Sequence, residues 1–145
     1  MGSAARSGSA GRPARGFTLL ELMVVLLILS LIATIAAPRV TKYMRKAKVQ
    51  TASVQVDALG AAVDSFHLDT GRFPTAEEGL RALVDQPANT PGWDGPYLKK
   101  QESLFDPWGH PYRYRLPGHK NEYDIYTLGA DQREGGEGDA RDIGN

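Results

Sequence analysis

From Phe17 to Ala37 the chain is apolar apart from a few hydroxyl side chains, and its single charge is Glu21. At about 1.5 Å of rise per residue, a helix over this stretch covers roughly 30 Å, the thickness of a bilayer's hydrocarbon core. Pro38 follows, removes one helical hydrogen bond and pushes its predecessor away from α geometry, which predicts a kink or local melting. Helical periodicity then resumes in a different style. Val56, Leu59, Val63 and Phe66 recur at steps of three and four with Asp57 and Asp64 on other faces, the pattern of an amphipathic helix. Gly71, a residue suited to a helix C-cap, and Pro74 beyond it predict where that helix stops.

After Gly71 the pattern shortens. Thr75 and Glu78 have the spacing of a capping box ahead of a short helix around Leu80 to Val84, and Pro87, Pro91 and Pro96 mark a loop. Tyr112, Tyr114 and Leu116 alternate with Arg113 and Arg115, and a second alternating run from Tyr123 to Leu128 lies beyond the Pro117-Gly118 turn, so a β-hairpin is expected. The fold class is therefore α+β: one long N-terminal helix, hydrophobic and then amphipathic, packed on a small antiparallel β-sheet. Residues 1–16 are Gly, Ser, Ala and Arg with almost no apolar bulk and read as a leader. The divisions are a leader over 1–16, a transmembrane and assembly helix over 17–38, its amphipathic continuation over 39–70, and a head over 71–145.

Composition narrows the function. The 145 residues leave room for one small domain, and seventeen Lys and Arg balance seventeen Asp and Glu, which removes the footprint of a nucleic-acid binder. With no cysteine there is no disulfide framework and no thiolate chemistry, so the head depends on packing or on a hard cation held through oxygen. The charge is uneven. Arg6, Arg12 and Arg15 precede the apolar run, and five bases between Arg39 and Lys48 follow it without an acid. By count alone this favours a cytoplasmic head.

The most informative residue is Glu21. A lone carboxylate one turn inside an apolar segment costs at least about 3 kcal/mol even on lenient insertion scales, so it needs a partner. A cut between Gly16 and Phe17 supplies one, because the new α-amino group, with a reference pKa of about 8, is largely cationic at neutral pH. Phe17 and Glu21 are four residues apart, so the pair can close within one chain or between the amine of one subunit and the carboxylate of the next. The second arrangement would hold neighbours in register.

The run Gly16-Phe17-Thr18-Leu19-Leu20-Glu21-Leu22-Met23 resembles the class III prepilin signal of type IV pilins and pseudopilins. The resemblance implies cleavage after Gly16 by a prepilin peptidase, N-methylation of Phe17, an assembly role for Glu21 and a kinking role for Pro38. It also implies a bacterial inner-membrane, single-pass precursor with its head in the periplasm, against the charge count, and later a periplasmic pseudopilus.

The head resembles the major pseudopilin of type II secretion. The segments that carry this are Arg72-Phe73-Pro74-Thr75 with Glu78-Gly79-Leu80, then Asp106-Pro107-Trp108-Gly109, then Tyr123-Asp124-Ile125-Tyr126 running into Leu128-Gly129-Ala130-Asp131. Asp106 to Gly109 fits a type I turn. The tail from Asp131 to Asp142 interleaves five acids with Gly135, Gly136 and Gly138, and clustered carboxylates with backbone carbonyls suit calcium. As an EF-hand it fails, because Arg133 and Gly135 occupy ligand positions. The resemblance implies a calcium loop using Leu128 and Asp131, with Asp142 near the end, Asp139 as the less secure second acid and a carbonyl near Arg133.

No catalytic constellation is present in the sequence. His67, His110 and His119 have no metal spacing, and Trp93 and Trp108 lie in Pro-Gly loops of the kind that cover a small core. The expectation is a non-enzymatic major structural subunit of the type II secretion pseudopilus, polymerising to drive export of folded proteins across the outer membrane. The implied partners are further copies of the chain, minor pseudopilins, the prepilin peptidase, an inner-membrane assembly platform and, before assembly, membrane lipid. Two other readings stay open: a type IV pilus or minor pilin subunit, and a membrane-anchored binding or hydrolytic domain.

Overall fold

The computed structural model describes residues 16–145. Of the expected leader only Gly16 falls among them; Arg6, Arg12 and Arg15 lie outside the described residues. The chain divides after Arg39 into two compact units, the second running from Val40 to Asn145.

The first unit is the apolar part of helix α1, which spans Leu19–Thr70. Its most apolar 18-residue window has a mean hydropathy of 2.7 and none of it is buried; among the described residues it is the one helix long and apolar enough to cross a membrane. Thr18 caps its start, accepting the Glu21 N–H on Oγ1 at 3.2 Å. Further along, Ser30 and Thr34 turn their hydroxyls back on the Leu26 and Ser30 carbonyls, at 2.7 and 2.9 Å, which satisfies these polar atoms inside an apolar segment. Pro38 does not melt the helix: α1 runs through it, so the cost of the missing N–H is local and the hydrogen bonds on either side suffice.

The second unit is built on the later part of α1. Ala52, Val56, Leu59, Ala62, Val63 and Phe66 are buried, the helical stripe expected from the spacing with two alanines added. Burying each large member is worth about 1.5–3 kcal/mol. The helix ends at Thr70, and Gly71 takes the left-handed conformation (φ 73°) that closes it, donating to the His67 carbonyl at 2.8 Å. Thr75 and Glu78 then form a reciprocal capping box. The Glu78 N–H donates to Thr75 Oγ1 at 3.2 Å and the Thr75 N–H to Glu78 Oε2 at 2.9 Å, ahead of a 3₁₀ helix over Gly79–Leu83.

The sheet has three strands, β1 (Arg113–Arg115), β2 (Asp124–Thr127) and β3 (Ile143–Gly144), in that spatial order and all antiparallel. Tyr114 sits opposite Ile125, and Thr127 opposite Ile143. The hairpin of β1 and β2 follows from the alternating aromatics. The third strand comes from the tail, where Asn145 clasps Ile125 on both sides: its N–H donates to the Ile125 carbonyl at 3.2 Å and its Oδ1 accepts the Ile125 N–H at 2.8 Å.

Tyrosine hydroxyls tie helix and head together. Tyr123 directs its hydroxyl at the Asp64 carboxylate, 2.8 Å away, with the Gly60 carbonyl at 3.1 Å, and Tyr112 reaches Gln55 Oε1 at 2.8 Å. Burial raises the pKa of both phenols. Tyr114 donates to the Pro74 carbonyl at 3.0 Å, and its phenol is pushed up to about 12, first by burial and then by the charge of Glu78.

Candidate functional site

Gly16, Phe17 and Thr18 carry no regular secondary structure, Phe17 is 80% exposed, and a Cβ added at Gly16 would meet none of the described residues within 4 Å. The helix begins only at Leu19, two residues beyond Phe17. Glu21 is exposed and, among the described residues, takes part in no salt bridge. Around it Leu19, Leu20, Leu22 and Met23 are more than half exposed, as are most residues up to Ile35. An apolar surface of this extent has to be covered by lipid or by other helices.

The tail loop brings the five expected ligand residues into one folded segment without closing a cage around an ion. Leu128 is buried and leads into a 3₁₀ turn over Gly129–Asp131. The Asp131 carboxylate accepts the Arg133 N–H at 3.2 Å and that of Asp142 accepts the Gly135 N–H at 2.9 Å. Asp139 goes elsewhere, with Oδ2 4.0 Å from Nε of Arg45 on α1. Among the described residues no three His, Asp or Glu side chains converge as metal ligands. The donors are all oxygens, the chemistry calcium takes. The glycines explain the loop's tightness: at Gly129 (φ 67°) a Cβ would lie 2.7 Å from the Asp139 carbonyl and 2.8 Å from that of Arg141.

Asp106, expected only to start a turn, proves to be a buried hub. The turn is present, with the Gly109 N–H donating to the Asp106 carbonyl at 2.9 Å. The fully buried Asp106 side chain also accepts the Trp108 N–H at 3.0 Å and the His110 N–H at 2.8 Å on Oδ1, and the Thr127 hydroxyl on Oδ2. His110 Nδ1 stands 3.7 Å from Oδ2, beyond hydrogen-bond range. Of the other histidines, His67 stacks on Phe73 with centroids 4.1 Å apart, and the His119 N–H donates to Asp124 at 2.9 Å, so the three are spread over separate local structures.

The described segments have known counterparts. The family described as type II secretion system (T2SS), protein G, matches residues 39–145, and the prokaryotic N-terminal methylation motif matches residues 11–37. The type II secretion system core protein G of Pseudomonas aeruginosa is 45% identical over 139 residues, covering 92% of this chain and 96% of its own. The core protein G of Vibrio cholerae is 44% identical over 137 residues, covering 92% of each. The crystal structure of the major pseudopilin from the type 2 secretion system of enterohaemorrhagic Escherichia coli is 37% identical, with a TM-score of 0.56 over 69% of this chain and 87% of that one. The exposed apolar helix, the methylation motif at its start and the small three-stranded head thus have one explanation: the chain belongs to the type II secretion system protein G family, the major pseudopilins.

Proposed function

We infer that the chain is the main structural subunit of a type II secretion pseudopilus, held in a membrane by α1 until assembly. The observation that carries this is the exposed apolar surface of α1, broken by one carboxylate, Glu21, four residues beyond the exposed Phe17. Cleavage after Gly16 and methylation of Phe17 leave an amine that Glu21 can pair with, in its own chain or in a neighbour. Lateral packing of apolar helices supplies cohesion and the charge pair supplies register. The filament is a homopolymer in the periplasm, started from an inner-membrane platform together with minor pseudopilins.

The test is expression of the full chain with a prepilin peptidase and the assembly platform, followed by mass spectrometry of the N-terminus and filament recovery. The wild type gives a methylated Phe17 terminus and filaments, whereas Glu21→Gln is cut but yields few or none. Filaments of Glu21→Gln in wild-type amounts would remove the pairing from the reading. An uncut wild type would remove the reading itself.

Calcium at the tail loop belongs to the same proposal, supported by the oxygen donors of Leu128, Asp131, Arg133, Asp139 and Asp142 and by the resemblance that named them. Since the arrangement described above is not a cage, binding would require these side chains to change partners. Saturation at about 100 times the dissociation constant stabilises by roughly 2.7 kcal/mol, a rise in Tm of order 10 °C or more in a unit this small. That rise is expected for residues 40–145 in calcium over chelator and should vanish in Asp131→Ala and Asp142→Ala. Equal melting in both conditions would remove calcium from the proposal.

A further inference from the structure

We propose that the groove between α1 and the tail loop is a binding site for the headgroup of an anionic phospholipid, formed by Lys42, Arg45, Lys46 and Arg141. This rests on the reading of α1 as a membrane helix. The groove is a cavity of about 680 Å³. Lys42, Arg45, Lys46 and Val49 stand at helical steps of three and four, so one face of α1 forms a wall, and Gly138 to Arg141 of the tail loop form the other. Its charge is one-sided: four cations line it against the single carboxylate of Asp139, which stands 4.0 Å from Arg45 Nε. Among the described residues Lys42, Lys46 and Arg141 join no salt bridge. Val49 and the aliphatic stems of the bases give the groove its apolar lining.

The chemistry shared by candidate ligands is a phosphate, and position along the chain selects the lipid. Lys42 is five residues beyond Ala37, where the apolar run ends. Five residues span at most about 18 Å when extended and about 8 Å as a helix, comparable to the depth of a headgroup layer. Bases at this depth each add about 1 kcal/mol of attraction to an anionic surface. The helix alone would offer a diffuse basic stripe. Arg141, brought from the far end of the sequence, turns the stripe into a cavity with cations on two walls.

The test uses the absence of cysteine: full-length Gln50→Cys, carrying an environment-sensitive fluorophore, is reconstituted in phosphatidylcholine nanodiscs with increasing phosphatidylglycerol, in chelator. Emission should shift and saturate as phosphatidylglycerol rises. Combining Lys42→Gln, Lys46→Gln and Arg141→Gln should weaken the response about a hundredfold, three charges at roughly 1 kcal/mol each, so that no composition saturates it. Asp139→Asn should act in the opposite sense and lower the midpoint. Equal weakening by Lys99→Gln, Lys100→Gln and Lys120→Gln would overturn the site in favour of general surface charge. The same shift from inorganic phosphate in pure phosphatidylcholine discs would reassign it to free phosphate. A shift that follows the number of chains per disc without phosphatidylglycerol would give the groove to a second copy. Failure of the wild type to enter discs would overturn the membrane reading and the site with it, an outcome distinct from entry without a lipid response.

Discussion

Asp106 shows how one residue can be read correctly and still be underestimated. Asp-Pro-Trp-Gly announces a turn, and the turn is there. Its carboxylate is nevertheless fully buried, and the donors it satisfies come from two places: the N–H groups of Trp108 and His110 in the turn, and the hydroxyl of Thr127 on β2. Local spacing predicts the first pair; the Thr127 contact depends on how the hairpin packs, which no pattern around Asp106 encodes. Leaving two half-buried N–H groups and a buried hydroxyl without their acceptor costs about 3 kcal/mol. Asp106→Ala should therefore lower the urea midpoint of residues 40–145 by that equivalent, with Asp106→Asn in between because one acceptor oxygen survives. A midpoint unchanged in the alanine variant would mean that water replaces the carboxylate. The tail residues pose the reverse case. Leu128, Asp131, Arg133, Asp139 and Asp142 were named by resemblance, and the fold places Asp139 beside Arg45, a partner from so far back in the chain that tail sequence alone could not reveal it.

At the scale of elements, α1 was the most legible. Its apolar run, its amphipathic stripe and its end near Gly71 follow from periods and caps that act within a few residues. Of the two outcomes expected at Pro38, a kink or local melting, melting does not occur: the helix continues, because one absent hydrogen bond is small against those on either side. The third strand was not legible: Ile143–Gly144 is too short to show alternation and exists because β2 offers an edge that Asn145 can close. Two substitutions on α1 separate packing from propensity. Phe66 is fully buried, lies edge-on to Tyr97 at 5.8 Å and carries the Arg72 guanidinium at 5.4 Å, so Phe66→Ala should cost about 3–5 kcal/mol. Gly60 sits inside the helix, where an added Cβ would meet Tyr123 Oη at 3.5 Å, an ordinary contact. Gly60→Ala should raise stability by about 0.5–1 kcal/mol through helix propensity. A loss on thermal melting would show that the Tyr123 hydroxyl needs the space.

For the second unit as a whole, the titratable groups that join its parts set the pH range in which it is stable. Glu78 links the segment after α1 to the 3₁₀ helix: it accepts both Arg72 Nη atoms, at 2.7 and 2.9 Å, while Arg72 also donates to Thr90. The charge-assisted bonds to Arg72 are the largest influence and hold the Glu78 carboxyl below the usual carboxylate range against burial, which comes second, with the Thr75 N–H adding a smaller lowering effect. A depressed folded pKa means stability that is complete above the unfolded value of about 4.3 and lost as pH falls through it toward the folded value. The tyrosines act at the other end. Burial raises the pKa of Tyr112, Tyr114 and Tyr123 in the fold, so their contribution is complete below about 10 and lost as pH rises from there, for Tyr114 toward about 12. The Tm of residues 40–145 should therefore form a plateau that falls on the acid side below the carboxylate range and on the alkaline side above the phenol range. Glu78→Gln should lower the plateau and flatten its acid limb, and Tyr114→Phe should flatten the alkaline limb while costing the bond to the Pro74 carbonyl. An acid limb of the same steepness in Glu78→Gln would assign it to other carboxylates, and an unchanged alkaline limb in Tyr114→Phe would assign it to Tyr112 and Tyr123, whose hydroxyls bind α1 directly. The two variants thus ask separately whether acid opens the head at the segment beyond α1 and whether alkali lifts the sheet from the helix.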